Sequence, residues 1–297
     1  MVISEAPLEE RFGVRVLPAE AYELAWCRDC GTLYVDCDVT DEYLAALYRN
    51  ESLEWQKAFL EKGGAADAIG SSRLPEFRAH WHDLTRVRGA HRGEQLLDFG
   101  CQTGEFGAVA LEQGVVPNGV ELSPDYAQRA RAAWGAASSV VSEPLGETSF
   151  AGRKFHYITA FETLEHMTDP RGSLRTMRRL IEQDGLLALS VPSTHYFWFK
   201  FKAFCALRAR PGLFNFLLGR RAATYRTQIL PHTHLFNFSP RSVDQLLRQA
   251  GFKPVLIRAV GWTGRSALLD VICRTILALT AGRIGMAPSV FAIARPA

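Results

Sequence analysis

The 297-residue chain lacks most features that would mark it as anything other than a globular protein. Cysteine is sparse: of six (Cys27, Cys30, Cys37, Cys101, Cys205, Cys273) only the first three cluster, which excludes a disulfide scaffold. No apolar run is long enough to span a bilayer. No internal repeat or low-complexity tract is visible, so solenoids and arrays are excluded. The net charge of +3 is too mild for the dense basic face of a nucleic-acid binder, and no RNA-binding module is attached. The stretch Met1–Glu10 is acidic and has no apolar segment, which predicts no secretory leader and, with the scattered thiols, a reducing cytoplasm. A Gly-x-Gly-x-x-Gly fingerprint is also missing, because position 102 is glutamine; this argues against dinucleotide binding.

Apolar residues make up 47% and charged residues 22%, enough for one large α/β domain with a small appendage. Residues 1–62 read as an N-terminal cysteine-containing cap, with the turn Cys27-Arg28-Asp29-Cys30-Gly31 and a helix-like stretch Asp41–Leu60. Lys62-Gly63-Gly64 reads as a linker into a main domain, 63–297, entered through a basic, aromatic-bearing helix over 72–91. From Gln95 the pattern alternates. Strands are expected at Leu96–Phe99, Val115–Glu121, Val140–Val141, Phe155–Phe161 and Gly185–Val191, with helices at Phe106–Gln113, after Ser123-Pro124, and at Arg171–Glu182. Ser239 caps a helix that Gly251 stops, and strands at Phe252–Ala259 and Val290–Ala294 flank an apolar helix, 267–281. This rhythm implies a mainly parallel sheet with helices on both faces.

Asp98-Phe99-Gly100-Cys101-Gln102-Thr103-Gly104 joins a strand to a helix, where glycines let backbone N–H groups approach a ligand. A ligand is expected at the carboxyl ends of such strands. Glu121 ends the second strand about 20 residues on, where a ribose-binding carboxylate sits in nucleotide folds. Taken alone, the glycine turn could be an ordinary connection.

Together these segments resemble the class I S-adenosylmethionine-dependent methyltransferases. Leu96–Phe106 (LLDFGCQTGEF) is similar to their first motif, Gly119–Pro124 to their second, and Phe155–Pro170 (FHYITAFETLEHMTDP) to their fourth-strand signature. Gly185–Ser193 and His234–Phe252 are similar to the family's fifth strand and its ending. The resemblance implies a Rossmann-like seven-stranded sheet with a small N-terminal cap and a helical insertion or lid at 195–230. It also implies an enzyme with S-adenosylmethionine as cofactor. Asp98, Phe99, Gly100, Gln102 and Gly104 would border the methionine moiety, together with Ala160 and Phe161. Glu121 would hold the ribose, Leu122 would flank the adenine, and Ser142 or Glu143 would reach its edge. Gln102 stands where the family usually has glycine and fits if its backbone stays at negative φ. It is the one support for a rival reading, a non-catalytic scaffold.

The expected reaction is in-line displacement at a sulfonium carbon, for which the protein supplies alignment and removes a proton. Glu162, Glu165, His166 and His234 are the candidate catalytic residues. Glu162 and His166, four apart, would share the face of a helical turn, and His166 is the preferred base. A second reading of the same residues, completed by His232 or His234, is a divalent cation site. That arrangement resembles the ubiquinone-pathway O-methyltransferases and the small-RNA 2′-O-methyltransferases, so RNA remains an alternative acceptor. A third reading is that they only shape the loop. Cys27-x-x-Cys30 with Cys37 suggests a zinc knuckle, but a fourth ligand is missing and a degenerate remnant is the preferred reading. The aromatic and basic block 195–226 suits a lid over a small-molecule, sugar- or lipid-linked acceptor, or peripheral contact with the inner face of a membrane.

Overall fold

The structure is a computed structural model that describes residues 9–11, 14–16, 23–36, 40, 73–142, 150, 152–198, 234–260, 271, 275–276, 279 and 287–297. The helix expected at 41–60, the linker, Cys37, Glu143, His232, residues 199–233 and most of 267–281 lie outside the described residues.

Two short strands, β1 (Glu9–Arg11) and β2 (Val14–Val16), pair antiparallel. Next come β3 (Glu23–Trp26), β4 (Leu33–Asp36) and α1 (Leu74–Val87). The main domain then alternates β5 (Gln95–Phe99), α2 (Glu105–Glu112), β6 (Val116–Val120), α3 (Pro124–Trp134), β7 (Val140–Val141) and β8 (Phe155–Phe161). A 3-10 turn (Leu164–His166), α4 (Pro170–Leu180) and β9 (Ile181–Pro192) follow, and then β10 (Phe236–Asn237), α5 (Pro240–Gln249), β11 (Phe252–Val260) and β12 (Ser289–Pro296).

The main sheet has seven strands in the order β11-β12-β9-β8-β5-β6-β7. Its β9-β8-β5-β6-β7 portion is parallel, and β12 lies antiparallel between β9 and β11. This is the Rossmann-like class I arrangement that the sequence pattern implies.

Central strands read as continuous apolar runs because both of their faces are covered. Leu97, Ile158 and Leu187 point to one face, where they pack with Leu174 and Met177 of α4 and Leu247 of α5. Their neighbours Leu96, Tyr157 and Leu186 point to the other, against Phe77 and Trp81 of α1 and Phe106 of α2. Caps fix the helix starts: the Ser123 side chain accepts from the Tyr126 N–H, and Ser239 forms a reciprocal capping box with Ser242.

The cysteine hairpin is tied to the main domain. β4 pairs antiparallel with both β3 and β10, giving a three-stranded sheet in the order β10-β4-β3. Two segments far apart in sequence are thereby joined beside the carboxyl ends of β8 and β9. Among the described residues no helix is long and apolar enough to cross a membrane.

Candidate functional site

The cofactor side is built from backbone. Gly100, just past β5, has φ +68° and donates its N–H to the Val120 carbonyl at 2.8 Å. A Cβ there would lie 2.5 Å from the Thr163 hydroxyl, so no side chain fits without displacement. Gly104 opens α2 at φ +94°, and its carbonyl accepts from the Trp134 indole at 2.7 Å.

Gln102 departs from expectation: its φ is +48°, not negative. The reason lies in its N–H, which donates to Glu121 Oε2 at 3.0 Å while the Ser123 N–H donates to Oε1 at 2.8 Å. A left-handed non-glycine residue costs about 1–2 kcal/mol, an amount that a hydrogen bond to a carboxylate offsets. Gln102 therefore serves the site through its main chain. Glu121 is buried, and burial raises its pKa despite these two donors.

Asp98, Gly100, Gln102 and Phe161 line one cleft, as expected, together with Cys101, Glu105 and Phe106. Gly104 and Glu121 are not among its lining residues, and Glu121 is joined to the cleft through the Gln102 N–H. The side chains of Phe99 and Ala160 are buried in the core, and the Phe99 carbonyl accepts from Thr163 Oγ1 at 3.0 Å. Leu122 is half-buried beside Glu121, and Ser142 is held by Arg131 at 3.1 Å. Burial pushes Asp98 up to about 7, even though the Thr159 hydroxyl donates to it at 2.6 Å.

Sequence reasoning missed Arg73 and Phe77, which close the cleft from α1. The helix was legible, but nothing in its sequence tells which turn reaches the crevice. Glu76 holds Arg73 through two hydrogen bonds, at 3.0 and 3.3 Å.

The acceptor side begins at Glu162, whose φ of +51° breaks the expected helical turn. Only Leu164–His166 coils, as a 3-10 turn, so Glu162 and His166 do not share a helix face. Glu162 donates its N–H to the Ser190 carbonyl at 2.9 Å, which fixes this bend against β9.

Glu165 is fully buried, and neither of its carboxylate oxygens has a hydrogen bond of ordinary geometry. His166 Nε2 and His234 Nε2 each lie 3.7 Å from Glu165 Oε1. The two imidazoles meet edge to face with centroids 4.9 Å apart. Burial, then the neighbouring Glu162 carboxyl, raises the Glu165 pKa well above the carboxylate range; burial likewise raises that of Glu162. One ligand atom from each of Glu165, His166 and His234 falls within 4.8 Å of the others. A buried carboxylate without donors beside two imidazoles fits the donor set of a divalent cation.

Seven strands in this order, with a glycine turn after the first parallel strand and a carboxylate ending the second, define a class I S-adenosylmethionine-dependent methyltransferase. The chain belongs to the methyltransferase-domain family, whose model matches residues 72–257. The ubiquinone biosynthesis O-methyltransferase of Bordetella avium is 27% identical over 192 residues, covering 62% of this chain and 71% of that protein. Among solved structures, the 1,6-didemethyltoxoflavin-N1-methyltransferase of Burkholderia thailandensis, bound to its acceptor and S-adenosylhomocysteine, aligns with a TM-score of 0.53 at 18% identity, over 92% of this chain and 99% of that one. Magnesium protoporphyrin IX methyltransferase of Synechocystis, bound to S-adenosylhomocysteine, aligns at 0.53 and 13% identity, over 87% and 100%. The chain is thus an enzyme of this class with S-adenosylmethionine as its cofactor, and the scaffold reading falls away.

Proposed function

We propose that this methyltransferase acts on a hydroxyl oxygen of a small-molecule acceptor, with a divalent cation at Glu165, His166 and His234. The observation that carries this reading is the buried Glu165 carboxylate without ordinary hydrogen-bond donors, facing two imidazole nitrogens at 3.7 Å. The likeness to an O-methyltransferase of ubiquinone biosynthesis supports oxygen as the acceptor atom.

Glu121, braced by the Gln102 and Ser123 N–H groups, accepts from the ribose hydroxyls. Arg73 and Asp98, which both line the cleft, face the charged ends of the methionine moiety in this reading. Glu162 supplies a second carboxyl beside the cation ligands. A bound cation would lower the pKa of an acceptor hydroxyl and hold it in line with the sulfonium methyl. Leu122 flanks the adenine in this reading. Sugar- or lipid-linked acceptors, and membrane contact through 195–226, stay within the proposal as variants of the acceptor.

Release of S-adenosylhomocysteine from a panel of catechols and other small hydroxyl compounds tests the reading, with and without a chelator. Activity that chelation abolishes and Mg²⁺, Mn²⁺ or Zn²⁺ restores is the expected result. Full activity in chelator, with loss in His166→Ala, would make His166 a general base instead.

A further inference from the structure

The cysteine hairpin is not used by the methyl-transfer site. Cys27 and Cys30 are three positions apart, at the ends of a four-residue turn inside the loop 27–32 that joins β3 to β4. The Gly31 N–H donates to the Cys27 carbonyl at 2.8 Å, and the Cys27 N–H to the Thr32 carbonyl at 2.9 Å, so the loop is closed by its own backbone. Both thiols are half-exposed and reduced. The Cys30 thiol donates to the Thr32 hydroxyl at 3.2 Å, and hydrogen bonding from Cys30, then from the Asp29 backbone, holds the Cys27 pKa below the ordinary thiol value. Residues at the two ends of such a turn have Cα atoms less than about 7 Å apart, close to the separation that a disulfide bridges.

A metal is the other use for such a pair. Tetrahedral zinc needs four ligands, and among the described residues no third cysteine, histidine or carboxylate joins these two. Among the described residues the pair stands as a dithiol.

We propose that Cys27 and Cys30 form a reversible intramolecular disulfide, made by exchange with small disulfides of the oxidised-glutathione class. The Cys27 thiolate attacks one sulfur of the small disulfide, forming a mixed disulfide and expelling one small thiolate. Cys30 then loses its proton to solvent and attacks the Cys27 sulfur, closing the Cys27–Cys30 bond and expelling the second thiolate. Two electrons leave the protein, and the small disulfide becomes two thiols.

The modified loop is joined to the acceptor side of the enzyme. The Ser239 hydroxyl, which caps α5, donates to the Cys30 carbonyl at 2.5 Å. From β4 the Val35 N–H reaches the Leu235 carbonyl at 2.9 Å, and the Leu235 N–H reaches the Glu165 carbonyl at 2.8 Å.

Trypsin makes the test direct, because Arg28 lies between the two cysteines. The full chain is treated with oxidised glutathione, alkylated, digested without reduction and analysed by mass spectrometry. The expected product is peptide 16–28 linked to peptide 29–49, returned to free thiols by dithiothreitol. The link should persist in Cys37→Ser and vanish in Cys30→Ser, where a mixed disulfide on Cys27 should accumulate. The wild-type result needs no variant to fold. Three outcomes would overturn the proposal: no linked peptide in the wild type, a link that Cys37→Ser abolishes, or stoichiometric zinc that shields Cys27 from alkylation.

Discussion

The two halves of the site are made in different ways. The proposed cofactor half comes from two contiguous segments, 96–106 and 119–123, and is braced mostly by backbone: Gly100, Gln102 and Ser123 all donate through N–H groups. The proposed acceptor half is assembled from pieces distant in sequence: Glu162–His166, the start of the segment after β9, and His234 on the approach to β10, the strand with which β4 pairs. Its contacts are side chains, and its central one, Glu165, is a buried carboxyl without ordinary hydrogen-bond donors. Backbone sites hold a constant ligand with little dependence on side-chain identity. A site of side chains on separate segments can change its ligand by substitution, which fits a family with one cofactor and many acceptors.

The largest effect that would break this division is expected at Gly100. In Gly100→Val a β-branched residue must adopt φ +68° with its Cβ 2.5 Å from Thr163 Oγ1. The combined strain and overpacking should cost about 4 kcal/mol of fold stability, measured by urea denaturation, and cofactor binding should be lost. Gly152→Val is the control, with φ +76° and open space around it. Equal losses in the two would show that backbone strain alone governs Gly100, and that contact with the acceptor-side Thr163 is irrelevant.

Glu165→Gln should separate the halves. Turnover is expected to fall on the order of 100-fold, with S-adenosylhomocysteine affinity unchanged by calorimetry. The melting temperature should hold or rise, because a buried carboxyl lacking donors is replaced by a neutral amide. A matching loss of cofactor affinity would merge the two halves into one. Glu121→Ala is the reciprocal experiment. It should weaken cofactor binding by about 1–3 kcal/mol and leave turnover recoverable at saturating cofactor. Unchanged affinity would remove Glu121 from the ribose site.

This division also explains what the sequence made legible. Local chemistry was readable: Gly100 and Gly104 at a strand–helix turn, Glu121 at a strand end, Ser123 and Ser239 as caps. These assignments depend on neighbours within a few residues. The errors fell where tertiary contacts override local preference. Glu162 and His166 have helical spacing, but β9 captures the Glu162 N–H and unwinds the turn. Gln102 was expected at negative φ, yet a carboxylate 19 residues away turns its N–H over. No sequence pattern could show that Arg73 reaches the cleft, or that β4 pairs with a segment some 200 residues on.

The smallest expected effect lies at the amino-terminal ends of the central strands and should touch neither half. Arg88, just past α1, binds Glu94 at 2.6 and 3.0 Å, Asp184 at 3.0 Å and the Tyr157 hydroxyl at 2.9 Å, pinning α1 to the sheet. Burial alone would raise the Glu94 pKa, but the hydrogen bonds from Arg88 outweigh it and hold the group down at about 2 instead of 4.5. A carboxyl depressed in the folded state stabilises the fold fully above its unfolded value, and the contribution disappears as pH falls through the folded one. Glu94→Gln should therefore cost about 1 kcal/mol at neutral pH, after allowance for solvent screening. The gap between wild type and variant should close as pH drops from about 4.5 to about 2. Urea midpoints across that range provide the measurement, and cofactor affinity should stay level throughout. A gap independent of pH would mean that Glu94 acts by packing and not by charge. A shift in cofactor affinity would mean that α1, which Arg73 caps at the cleft, transmits the change from the amino-terminal ends of the strands to the proposed cofactor half.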